Sequence, residues 1–145
     1  MILIKHAINP LYARRLLIIL LATSLFSVYI SNMAYAGDVE IVKTRFEYRS
    51  GSWHVNTTLR HGDTGWSHYA DAWRVVSENG EDLGTRTLYH PHENEQPFTR
   101  SHTINIPRGI HIVYVEARDK VHGWNKNRVK VDLRKASGDR YEIKR

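Results

Sequence analysis

Five histidines and a group of acids are concentrated in three short stretches of the chain: His61, Asp63, His68 and Asp71; His90, His92, Glu93 and Glu95; Asp119 and His122. Imidazole and carboxylate are the donors that hold Zn²⁺, Cu²⁺ or Ni²⁺ when thiolates are absent, and the chain has no cysteine. His90-Pro91-His92 has i, i+2 spacing, which at a strand end aims both rings to one side. His61, His68 and His122 can then add a third and fourth donor, while Asp63, Asp71 or Asp119 orients a ring by accepting its second N–H. The expected ligand is one Cu²⁺ or Zn²⁺ ion on His90 and His92, helped by His61, His68 or His122. No strict spacing such as HExxH occurs. The same residues also suit plain loops in which side chains satisfy nearby backbone donors.

The aromatic residues open a second chemistry. Trp66, Tyr69 and Trp124, with Asp71 and Asp119 beside them, form a set that can bind a sugar ring or a peptide. Trp66 and Trp124 stand next to glycines in loops, where they serve equally well as caps on the open end of a core. Catalysis has less support. Asp63-Thr64-Gly65 matches the D-T-G of aspartic proteases, but Arg60-His61-Gly62 precedes it where those enzymes have an apolar strand. No G-x-S-x-G, Walker or G-x-G-x-x-G pattern appears. A non-catalytic binding protein is the expectation.

The elements that position these residues follow from the remaining pattern. The chain has 145 residues and a formal net charge of +6. Residues 1–36 carry Lys5, Arg14 and Arg15 with no acid, and Arg134–Arg145 carries five bases against two acids. Gly37–Leu133 is left with 13 bases and 13 acids, so no basic stripe for nucleic acid is implied. The early bases precede the apolar run Leu16–Ala22, which continues to Ile30 and ends in Ala34-Tyr35-Ala36. Charged start, apolar middle and A-x-A end form a secretory signal peptide, with cleavage expected after Ala36. The mature protein is then periplasmic or secreted, and it meets a membrane only through an uncleaved leader.

From Gly37 onward the pattern is β. Seven strands are expected near Val39–Tyr48, Trp53–Arg60, Ala72–Val76, Leu83–His90, Phe98–Ile106, Ile110–Arg118 and Arg128–Leu133, with turn signals at Ser50-Gly51, Asn79-Gly80 and Pro107-Arg108-Gly109. The reading is an all-β, antiparallel two-sheet sandwich over residues 37–133, followed by a polar, disordered tail over residues 134–145.

Trp73-Arg74-Val75 on the third strand and Val113-Tyr114-Val115-Glu116-Ala117 on the sixth resemble an immunoglobulin or fibronectin type III sandwich. That resemblance implies that Trp73 is the core aromatic of strand C. The phrases running from His90 to Ser101, and His122-Gly123-Trp124, resemble a group of secreted bacterial proteins of unknown function. If consecutive strands alternate in direction, the tight turns collect at one end. The long loops His61–Asp71, Pro91–Pro97 and Asp119–Asn127 collect at the other, and five of the eight histidines that follow Ala36 lie in them or, for His90, beside them.

Overall fold

The computed structural model describes residues 37–145; the expected leader, residues 1–36, lies outside them. Ten strands form among the described residues, with no helix: β1 (Glu40–Arg49), β2 (Ser52–Arg60), β3 (Ala70–Ser77), β4 (Asp82–Thr87), β5 (Phe98–Ile104), β6 (Ile112–Asp119), β7 (Gly123–Trp124), β8 (Val129–Asp132), β9 (Ser137–Gly138) and β10 (Tyr141–Lys144). One sheet has the order β5-β2-β1-β10-β9. The other runs β4-β3-β6, with β7 and β8 both pairing β6.

Period-two patterning explains which faces meet. Along β2, Trp53, Val55, Thr57 and Leu59 point inward, and along β6 Val113, Val115 and Ala117 do the same. On β1 a register shift between Ile41 and Lys43 lets Ile41 and Thr44, three residues apart, both face the core. Thr44 and Thr57 there share a hydroxyl hydrogen bond of 3.2 Å, so neither buried hydroxyl is left without a partner. Trp73 on the central strand β3 is fully buried, packing edge-on to His102 at 6.4 Å. Ser50 and Gly51, both at positive φ, close the β1–β2 hairpin in two residues, the geometry that a primed turn requires.

Three expectations need correction. The count of seven strands falls short because β7, β9 and β10 are short and carry little apolar signal of their own. The tail expected to be disordered contains β9 and β10. Tyr141 is buried against the core, and β10 runs parallel to β1 with Thr44 opposite Tyr141. A side chain at Gly138 would collide with the Tyr141 ring, so this glycine makes the room that lets the tail fold back. The fourth strand also ends at Thr87 rather than at His90, which leaves His90 in a loop.

The long loops do collect at one end. Leu59 pairs with Phe98, Ala70 with Asp119 and Ala72 with Thr87, so the end of β2, both ends of the β4–β5 connection, the start of β3 and the end of β6 lie together.

Candidate metal centre

The site grows directly out of the core pattern. His61 is the next inward step after Leu59 in the β2 row, and Asp119 is the next after Ala117 in the β6 row. Pleating therefore carries an imidazole and a carboxylate into the open end of the sandwich, where apolar residues would otherwise stand, and both are buried. The turn Gly65–His68, in which the His68 N–H donates to the Gly65 carbonyl at 3.2 Å, brings His68 back toward them. One donor atom from each of His61, His68 and Asp119 lies within 4.8 Å of the others.

Asp63 organises this end. Its Oδ1 accepts from His61 Nδ1 at 2.6 Å and from the Ala70 N–H at 3.0 Å, and its Oδ2 accepts from the His92 N–H at 2.6 Å. A carboxylate already taking two backbone amides is an acceptor, so the His61 ring donates its Nδ1 proton. Its Nε2 is buried, and among the described residues it has no hydrogen-bond partner. His68 Nε2 is likewise buried without a hydrogen bond, 3.5 Å from Asp119 Oδ1. The His68 ring meets that of His61 edge-on at 4.9 Å and that of His122 at 5.2 Å.

Asp119 receives three donors from the turn that follows it. The Val121 and His122 N–H groups each donate to Oδ1 at 2.8 Å, and His122 Nδ1 lies 3.1 and 3.2 Å from its two oxygens. Burial by itself would raise the Asp119 pKa, but these hydrogen bonds outweigh it and hold the carboxyl below its usual range. It stays ionised and available to a cation.

His90 and His92 form a second group on the far side of Asp63. Their rings are 4.6 Å apart, and the buried His92 ring stacks on Phe98 at 3.8 Å and 9°. Burial, with Arg100 and His90 nearby, pushes His92 below the ordinary histidine range and keeps it neutral. Its Nδ1 is 3.9 Å from Asp63 Oδ2, and neither ring nitrogen has a hydrogen-bond partner among the described residues. The five histidines are thus contiguous, in the order His90, His92, His61, His68, His122, with Asp63 between His92 and His61 and Asp119 beneath His68 and His122.

The remaining expected site residues separate by role. Asp71 makes a two-pronged ion pair with Arg118, at 2.9 and 2.6 Å, which ties β3 to β6. Trp124 is half-buried with the Arg74 guanidinium 4.0 Å above its ring. Tyr69 is buried, while Trp66 stands exposed, edge-on to Tyr69 at 6.1 Å. Gln96 is a residue that sequence reasoning missed. Its side chain accepts from the His61 N–H at 3.0 Å and donates to the His92 carbonyl at 3.1 Å, bridging two of the loops. Nothing in its local pattern marks it, since the partners lie 35 and four residues away.

No family model matches the chain. A stretch of 77 residues, 53% of the chain, is 43% identical to a protein of Halomicrobium mukohataei described as a "Putative lipoprotein". The match spans 38% of that protein's length. No solved structure matches.

Proposed function

We propose that this is an exported β-sandwich protein that holds one Cu²⁺ or Zn²⁺ ion on His61, His68 and Asp119. The observation that carries the reading is the unpartnered Nε2 of His61 beside His68 and Asp119. It is fully enclosed without a hydrogen-bond partner among the described residues, while Nδ1 of the same ring is held by Asp63. A buried polar nitrogen left without a partner is unfavourable until a ligand joins it. Imidazole and carboxylate donors without sulfur suit Cu²⁺ and Zn²⁺, and the His61–Asp63 pair is the outer carboxylate–imidazole arrangement that metal-bound histidines use.

His90 and His92, the pair first expected from spacing, flank this centre through Asp63 and are proposed to support it. The lipoprotein description of the relative favours export of this chain as well. Trp73 at the centre of β3, and β3 paired with β6, favour the fibronectin type III-like or immunoglobulin-like reading of the sandwich.

Metal loading tests the proposal. Purified protein is incubated with Cu²⁺ or Zn²⁺ at neutral pH, desalted and assayed for metal. One ion per chain supports the reading, and a chain that retains none overturns it.

A further inference from the structure

Three protein donors do not complete the shell of a Cu²⁺ or Zn²⁺ ion. Zinc takes four ligands in a tetrahedron, and tetragonal Cu²⁺ takes at least as many. Zinc sites that only brace a fold draw every ligand from the protein. Three protein donors belong instead to sites that keep a position for water or another small ligand. The chain's supply of a fourth donor therefore decides which kind of centre this is.

Each neighbour of His61, His68 and Asp119 is committed elsewhere. Asp63 Oδ1 holds His61 Nδ1 and the Ala70 N–H, and its Oδ2 holds the His92 N–H. His122 directs Nδ1 at Asp119, 3.1 and 3.2 Å from the two oxygens, so its ring orients the carboxylate. His92 stacks on Phe98 at 3.8 Å, on the far side of Asp63. The chain has no cysteine. Among the described residues, the one group whose donor atoms lie together is His61, His68 and Asp119.

Enclosure and charge set the class of the remaining ligand. Side-chain exposure is 0% for His61, 1% for Asp119 and 15% for His68, so the approach runs along His68. The half-exposed ring of His122 stands against it there at 5.2 Å. So little open surface suits water or an anion of a few atoms, not a large organic donor. A divalent ion on two imidazoles and one carboxylate keeps a net positive charge, which favours an anion over a neutral donor. The apolar core lies elsewhere, between the sheets, so the centre is free of the duty of holding the sandwich together.

Resting on the metal reading above, we infer that the ion keeps one coordination position for a small ligand from solution: water by default, and a monoanion of the size of azide when one is supplied. The step is a substitution without a change in oxidation state. The bond from the metal to the water oxygen breaks as a bond to the azide nitrogen forms, and His61, His68 and Asp119 stay in place.

Azide titration tests the open position. The protein is loaded with Cu²⁺ and desalted, beside the His61→Ala/His68→Ala variant treated in the same way, with circular dichroism confirming that both are folded. Azide should give the wild type a new azide-to-copper charge-transfer band that saturates at one azide per ion, with a matching change in the copper electron paramagnetic resonance spectrum. Copper should stay bound throughout, the double variant should show no band, and bulky 2-methylimidazole at the same concentration should leave the wild-type spectrum unchanged. A wild type that retains copper but gives no azide band has its ion saturated by the protein, as Asp119 would do by giving both oxygens, and this overturns the inference while the metal reading stands. An equal response to 2-methylimidazole overturns the restriction to small ligands. A wild type that retains no copper overturns the metal reading and the inference with it.

Discussion

Asp63 Oδ1 accepts a 2.6 Å hydrogen bond from Nδ1 of His61, and neither side chain reaches solvent. The same carboxylate takes the Ala70 and His92 amides, so one acid fixes the entry to β3, the β4–β5 loop and the tautomer of a candidate ligand. In Asp63→Asn one oxygen is replaced by an NH₂ group that faces donors. The expected cost is about 3 kcal/mol in a urea unfolding titration, the scale for breaking a buried charged hydrogen-bond set. Metal affinity should fall about 10- to 100-fold as His61 loses its orienting partner.

Acid should weaken the fold through two imidazoles, the buried His92 and the half-buried His102. Burial, with Arg100 for His92 and Arg86 for His102, holds both below the ordinary histidine range. The unfolded chain then binds more protons than the native one near pH 6. This contribution is complete above about pH 6.5 and is lost as pH falls below it. Urea midpoints measured from about pH 7.5 to 5 should decline, and His92→Phe, which retains the stack on Phe98, should flatten the decline. An identical slope in that variant would remove His92 from the account.

Trp73 is fully buried at the centre of the sandwich. Trp73→Ala is expected to destabilise by about 3–5 kcal/mol, the range for truncating a large core aromatic. Trp66→Ala removes an exposed ring and should stay within about 0.5 kcal/mol of the wild type. Comparable losses in the two variants would contradict the assignment of core and surface.

The C-terminal segment contributes to the sandwich through Tyr141, which packs over Gly138 beside β1. Tyr141→Ala should cost about 2 kcal/mol. Chemical denaturation measures this directly, and an unchanged midpoint would mean that β10 is not held by the core.

The inward rows of β2 and β6 are legible from apolar alternation, and so is the gathering of the long loops at one end, because both follow from pleating and strand direction. The histidine-rich character of that end is equally plain. The division of labour within it is not. Spacing alone makes His90 and His92 the natural pair, but β4 stops at Thr87 and His92 turns its ring onto Phe98. His61 and Asp119 continue inward rows past the last apolar residue, a cue that residue type hides, since a polar side chain reads as the start of a loop. Of the three aspartates able to orient a ring, Asp63 and Asp119 do so, while Asp71 is taken by Arg118 on the neighbouring strand. That choice depends on pairing across 47 residues, which no local pattern contains. β10 was missed for a similar reason. Tyr141 and Ile143 are too few to announce a strand, and the segment is fixed by lying along β1.

The central claim is that His61 and His68, with Asp119, hold one transition-metal ion. Isothermal titration of Cu²⁺ or Zn²⁺ into the purified protein at neutral pH, beside a folded His61→Ala/His68→Ala variant, tests it most directly. The account predicts one ion per wild-type chain and none on the double variant. No binding to the wild type, or equal binding to both proteins, would contradict it.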